Sequence, residues 1–284
     1  MTGDGWEFRY FPDSGVHNLA SMAAYLGSSD LAYQIGGRIT LGKFLFAARV
    51  LDLDKIVVHW VGSDAVDYKP LARDGKAEPW VVHVPHHWGV SEWMVREVLG
   101  LGVPCEMVPL PATKIPDSPS ALPERFTVLV YMPDVRRGDL YGLDRILQVT
   151  RDLPHIPFEM VGLTHGRIAD LPKNLRVHGR ISDLTGWFQR ASVVWRPVRH
   201  DGLSQMVLEG LAHGRHVLWS YPFPGCVHVK EADEARDRIT TLYEQHENGC
   251  LQINWTGVEV MSDQFHPGRL RREILVRLEQ ILDS

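Results

Sequence analysis

Apolar positions along this chain follow two rhythms. Short continuous runs rich in valine and isoleucine alternate with stretches in which apolar residues recur every three to four positions. The first rhythm suits strands buried on both faces; the second suits helices packed over them. Helical spacing predicts a helix over 16–26, ended by Gly27, and another over 39–51 with Leu41, Phe44, Leu45 and Ala48 on one face. Continuous apolar runs predict strands over 55–61 and 80–84. A helix over 91–99 and a strand over 105–110 follow.

The rhythm breaks at 109–123, which holds Pro109, Pro111, Pro116, Pro119 and Pro123. Proline fixes φ, lacks an N–H and restricts the residue before it, so neither a helix nor a central strand runs through such a stretch. A linker between domains is the expectation. Beyond it, strands are predicted over 126–131, 158–161, 175–178, 193–196 and 216–220. Helices are predicted over 143–151, 184–190, 204–213 and 231–247. A last helix over 268–282 carries Leu270, Ile274, Leu278 and Ile281 on one stripe. Strands alternating with helices predict α/β domains with parallel sheets, in which ligands sit beyond the carboxyl ends of the strands. The expected organisation is a small α/β domain over 1–115, a linker over 116–125, a second α/β domain over 126–265 and a terminal helix within 266–284.

Composition narrows the function classes. The 284 residues include 30 basic and 35 acidic ones, a formal charge of −5, with 44% hydrophobic and 23% charged. These are the values of a folded globular protein. Without a basic run or face, a sequence-independent grip on nucleic acid is set aside. No run of about 18 apolar residues predicts a spanning helix, and the first ten residues lack the basic-then-apolar pattern of a secretory leader. Cys105, Cys226 and Cys250 are odd in number and form no Cys-x-x-Cys. Free thiols in a reducing compartment, and so a cytoplasmic protein, are the expectation.

The segment most informative about chemistry is 199–220, RHDGLSQMVLEGLAHGRHVLWS. It follows a predicted strand and opens a helix at Ser204, a residue type suited to the N-cap. Gly214 is placed to end that helix. Gly202 lets the backbone approach a ligand, and the first free helix amides point to the same spot, where an anion is favoured. Asp201 in the loop and Glu209 in the helix lie eight positions apart, on different turns, and would grip different parts of one extended ligand.

An acid, a glycine, a helix with glutamate eight positions on, then a small-x-Gly turn into a strand, resembles the signature of retaining glycosyltransferases of the GT-B architecture (family 4-like, group 1). The resemblance implies two Rossmann-like α/β domains facing a cleft, the first one small here, with the terminal helix crossing back towards it. Their usual pattern is Glu-x7-Glu, and this chain has Asp201-x7-Glu209. The resemblance implies that Glu209 holds the ribose hydroxyls of a nucleotide-sugar, that Asp201 holds hydroxyls of the transferred sugar, and that amides near Gly202, Leu203 and Ser204 meet the diphosphate. It also places cations in 131–142, YMPDVRRGDLYG, where Arg136 and Arg137 match the first cation. Tyr141 stands before Gly142 where relatives carry lysine, and Arg196 and Arg199 are further candidates for the charge. His178, Gly179 and Arg180 match the strand-to-glycine turn beside the nucleobase, and 222–225, Pro-Phe-Pro-Gly, matches a turn after the next strand. The likeness covers about 126–226. In the first domain it is weaker: His59, Trp60, Gly62 and Asp64 end a strand on the acceptor side, and Gly36 and Gly37 precede a helix.

Other groups carry plainer readings. His83, His86 and His87 lack the His-Glu-x-x-His spacing of a helical metal site. Asp52 and Asp54 lie between a predicted helix and a predicted strand, as a solvated connection would. In the last helix, Glu273 and Arg277 are spaced to pair. Arg269, Arg271 and Arg272 complete a basic face that could meet anionic lipid, although its apolar stripe suits packing on protein. The expectation is a metal-independent glycosyltransferase with no cofactor beyond a donor such as a UDP- or GDP-sugar, and a glycan or small-molecule acceptor. The alternatives on the same fold are a non-catalytic sugar- or partner-binding protein and a nucleotide-sugar epimerase.

Overall fold

A computed structural model describes residues 2–3, 6–8, 19–112 and 114–284. Residues 16–18 of the helix expected over 16–26 lie outside the described residues. The chain divides into two compact units, Met1–Val108 with Leu275–Ser284, and Pro109–Ile274. The proline-rich stretch, including 116–125, therefore groups with the second unit.

In the first unit, β1 (Thr2–Gly3) and β2 (Trp6–Glu7) pair antiparallel. Helix α1 is Leu19–Leu26, β3 Ala32–Ile35, α2 Lys43–Val50, β4 Ile56–Trp60, α3 Asp64–Arg73, α4 Pro79–His83, β5 His86–Gly89, α5 Glu92–Leu99 and β6 Glu106–Met107. Strands β3, β4, β5 and β6 lie in that order in one parallel sheet. Strand β4 is buried at every position, as its β-branched run requires. Its inner neighbours include Met22, Leu26, Leu45, Ala48 and Val81.

The structure departs from three local expectations. The helix expected from 39 starts at Lys43, because Gly42 is extended and sits at its N-cap. The run 80–84 is not a strand; Trp80, Val81, Val82 and His83 lie in α4 and Val84 caps it, with Pro79 at the first helical position, where its fixed φ and missing N–H cost nothing. The strand expected over 105–110 is reduced to Glu106–Met107.

The second unit holds β7 (Val128–Tyr131), a 3-10 turn (Val135–Arg137), α6 (Gly138–Tyr141), α7 (Leu143–Asp152), β8 (Phe158–Val161), β9 (Leu175–Val177), α8 (Thr185–Arg190) and β10 (Val193–Arg196). It continues with α9 (Gln205–Ala212), β11 (His216–Trp219), β12 (Cys226–His228), α10 (Ala232–Glu247) and α11 (Trp255–Asp263). The last helix, α12 (Pro267–Leu282), begins in this unit and passes into the first at Leu275. There Arg277 pairs with Glu106 at 2.9 Å, and Lys55 donates to the Leu282 carbonyl. The expected partner of Arg277, Glu273, pairs instead with Arg269 at 3.3 Å.

The six strands are parallel in the order β12-β11-β10-β7-β8-β9. The chain leaves β7 towards β8 and β9, then returns to the other side of β7 with β10 and moves outward through β11 and β12. The order therefore reverses between β7 and β10, and in open α/β sheets the crevice at such a reversal, beyond the carboxyl ends of the strands, is where ligands bind. Below it lies a core that includes Phe126, Val130, Ile146, Phe158, Trp195 and Leu218. Arg215 is buried at the other end of α9. Its guanidinium donates to the carbonyls of His213 (2.9 Å), Ala191 (3.1 Å) and Ala121 (3.2 Å), and to that of Ser120. It thus fastens the proline-rich stretch to the sheet, and burial pushes its pKa down to about 10.

Candidate functional site

The two strands flanking the reversal end on Tyr131 and Arg196. The loop after β10 carries Asp201 and leads into α9. Arg196 meets Asp201 in a two-pronged ion pair, Nε to Oδ2 at 2.9 Å and Nη2 to Oδ1 at 3.2 Å, with both side chains largely buried. The guanidinium lies 5.4 Å from the ring centre of Tyr131 and 5.1 Å from that of Tyr141. The two rings meet edge to face at 6.1 Å. Burial works against the charge on Arg196, but Asp201 outweighs it and the pKa is raised. The Asp201 amide donates to the Tyr221 hydroxyl at 3.2 Å, so the backbone and the carboxylate of Asp201 are both held.

Gly202, Leu203 and Ser204 are buried where the loop becomes α9. Ser204 takes the N-cap position, but its hydroxyl makes no capping bond; its carbonyl accepts the Val207 and Leu208 amides at 3.1 Å. Glu209, on the second turn, is only 7% exposed. Its Oε1 accepts the Lys114 amide at 3.3 Å. Gln205 donates to the Pro111 carbonyl at 3.4 Å, and the Lys114 ammonium lies 3.3 Å from Asp183. Part of the proline-rich stretch thus runs along the helix that carries Glu209, a neighbour that the sequence did not suggest.

The expected cations separate. Arg136 is 78% exposed and folds back on Asp134, whose carboxylate it meets at 2.6 Å and holds down to about pKa 2. Arg137 is exposed on the same turn. Arg199 pairs with Asp139 at 2.9 Å and Asp144 at 2.7 Å, tying the loop after β10 to α6 and α7. Arg196 is therefore the buried arginine among them, and it stands against the ring of Tyr141, the residue at the lysine position of the resembled pattern. Tyr131 and Tyr141 were not legible as its partners, because they reach it from another strand and another helix.

His178 follows β9. Its Nε2–H donates to Glu159 at 2.5 Å, and its ring lies 4.3 Å from that of Trp187. The Gly179 carbonyl accepts the Gly162 amide at 3.0 Å. Gly179 and Arg180 are exposed, and Arg180 is close enough to Tyr131 to act on its charge.

The acceptor-side candidates of the first unit are held internally. His59 is buried: its Nε2–H donates to the Val108 carbonyl at 2.8 Å, and its Nδ1 accepts from the Tyr33 hydroxyl at 2.5 Å. Desolvation lowers its pKa to about 4, so the ring is neutral in one tautomer. Trp60 is buried and donates to His87 Nδ1 at 3.1 Å. The Asp64 carboxylate accepts four amides, from Gly37 (2.6 Å), Gly62 (2.7 Å), Val61 (3.0 Å) and Ala65 (3.1 Å). It joins the glycine loop after β3 to the loop after β4. Among the described residues, no group of three or more His, Cys, Asp or Glu side chains is arranged to hold a metal ion, and no helix is long and apolar enough to cross a membrane.

No protein-family model matches this sequence, and no curated protein matches it. Solved structures match in fold. Sucrose-phosphate synthase from Thermosynechococcus elongatus has a TM-score of 0.71 at 13% identity, over 93% of this chain and 77% of that one. A mutant of S. aureus TarM, in complex with fondaparinux, alpha-GlcNAc-glycerol and UDP, has a TM-score of 0.68 at 12% identity over 94% of this chain. HepE from Anabaena in complex with UDP-glucose has a TM-score of 0.68 at 12% identity, over 92% of this chain and 82% of that one. The chain spans 59% of the length of that TarM structure. With its two parallel sheets, the chain has the two-domain, Rossmann-like GT-B fold.

Proposed function

We propose that this protein is a glycosyltransferase that takes a sugar from a nucleotide-sugar and passes it to an acceptor with retention and without a metal. The observation that carries this reading is the buried carboxylate of Glu209, eight residues after Asp201, on the helix that starts at the carboxyl edge of the sheet where the strand order reverses. A carboxylate offers about four acceptor sites, which suit the paired hydroxyls of a ribose, and the Lys114 amide already meets Oε1 of this one. Two neighbours in fold support the donor class, since HepE was solved with UDP-glucose and TarM with UDP.

In this reading Glu209 holds the ribose, Asp201 the sugar, and the amides around Gly202 to Ser204 the diphosphate. As the bond from sugar carbon to phosphate oxygen breaks, its electron pair passes to the diphosphate. Fixed helix amides favour that developing charge more than the ground state. Water must be kept out, because it would otherwise take the sugar in place of the acceptor. A sugar-binding protein of the same fold is the second reading, favoured by Tyr141 standing where the resembled pattern has lysine.

The test is calorimetry with UDP, GDP and ADP and their glucose or mannose derivatives, with and without EDTA. One nucleotide is expected to bind saturably and independently of EDTA. Replacing Glu209 (Glu209→Ala) is expected to weaken that binding by at least about tenfold, or 1.4 kcal/mol, with thermal stability retained. Equal affinity in mutant and parent would remove the donor-site assignment.

A further inference from the structure

The ion pair at the strand-order reversal has a feature that a surface salt bridge lacks. The Arg196 side chain is only 8% exposed and that of Asp201 13%. The guanidinium uses two N–H groups on the two carboxylate oxygens, while Tyr131 and Tyr141 stand against it as aromatic neighbours. Arginine is the side chain able to do this, because its planar fork matches a carboxylate and its face stacks on aromatic rings. A carboxylate has about four acceptor sites, and a two-pronged arginine engages one on each oxygen. The pair therefore fixes the plane and the direction of the Asp201 carboxylate. The Asp201 amide is fixed as well, on the Tyr221 hydroxyl.

We infer that Arg196 is a positioning residue for the sugar end of the donor site. It sets the orientation in which the Asp201 carboxylate meets the hydroxyls of the donor sugar. Tyr141, at the lysine position of the resembled pattern, serves as a wall for that arginine. This inference rests on the proposed donor site. It adds that the positive charge beside Asp201 comes from the end of β10 rather than from the start of a helix, and that aspartate suffices because arginine holds it. Arg136 and Arg199 do not compete for this role, since each is turned to other carboxylates, Asp134 for the first and Asp139 and Asp144 for the second.

The test separates the sugar from the nucleotide. Affinities of the parent chain for UDP, GDP and ADP are compared with those for UDP-glucose, GDP-mannose and ADP-glucose, and repeated for Arg196→Lys, Asp201→Asn and the double variant. Lysine keeps the charge but loses the fork. Arg196→Lys is expected to leave the nucleoside diphosphate affinity within about threefold and to lower the nucleotide-sugar affinity by about tenfold, with Asp201→Asn doing the same. The double variant is expected to lose no more than either single one, because both act through one carboxylate. Retained nucleotide binding is the folding control. Should Arg196→Lys not fold, Tyr141→Leu removes one wall and is expected to lower nucleotide-sugar affinity alone. An unchanged nucleotide-sugar affinity overturns the positioning role. So does an equal fall in both affinities, which would put Arg196 on the diphosphate. A parent chain that binds no nucleotide overturns the donor site itself and this inference with it.

Discussion

Gly142 sits so close to Pro197 that a Cβ on the glycine would come within 2.0 Å of the proline carbonyl oxygen. Gly142 also has φ +68, in the left-handed region. The two residues join the turn that precedes α7 to the loop that follows β10. Arg199 reinforces the junction, because its amide donates to the Leu140 carbonyl at 2.8 Å. The backbone that carries Tyr141 is thereby set against the strand end that carries Arg196.

Gly142→Ala is therefore expected to be among the more damaging small substitutions in the second unit. The left-handed conformation costs a residue with a Cβ roughly 1–2 kcal/mol. Forcing the Pro197 carbonyl aside adds an overpacking cost of about 1–3 kcal/mol. Urea denaturation is expected to show a lower midpoint with an unchanged slope. A midpoint equal to that of the parent would mean that the two loops are not in contact.

How much of this was legible in the sequence differs between the units. Strands over 158–161 and 193–196 are found at the predicted bounds, because continuous apolar runs in a parallel sheet leave little ambiguity. The run 80–84 misled because four apolar residues around His83 suit a buried strand and a buried turn of helix equally; Pro79 was the signal for the helix. Strand β5, His-His-Trp-Gly, was missed because its polar residues disguise it: His87 is buried and bonded to Trp60 and Val81. In the site, the spacing of Asp201 and Glu209 could be read along the chain. The cage around Arg196 could not, since it depends on β7 and β10 lying side by side, a pairing of residues more than sixty positions apart.

Buried histidines make stability fall on the acid side of neutrality. Desolvation lowers His59, His87 and His213 from 6.5 to about 4, and all three are buried. Between those values the unfolded chain takes up protons that the folded chain refuses, so stability is lost as pH falls from about 6.5 towards 4 and is unaffected by these groups above 6.5. At pH 5 the loss is about 2 kcal/mol for each histidine if all three stay neutral in the fold. Asp134 and Asp183, held near 2, titrate in a separate and lower window. Urea midpoints are expected to be level from pH 8 to 7 and to drop steeply by pH 5. A flat profile down to pH 5 would show that these rings are open to water.

Restoring the lysine of the resembled pattern is expected to harm this chain. Tyr141→Lys brings an ammonium towards a guanidinium that now lies 5.1 Å from the tyrosine ring centre, and removes one of the two rings that cover it. Two like charges about 5 Å apart repel by roughly 3 kcal/mol at an effective dielectric of 20, and Asp201, already engaged by Arg196, offsets only part of that. The variant is expected to show a lower melting temperature and weaker nucleotide-sugar binding, with nucleoside diphosphate binding less affected. Tyr141→Phe keeps the ring and is expected to behave as the parent does. A gain in donor affinity for Tyr141→Lys would mean that the site lacks a cation, and that Arg196 does not provide one.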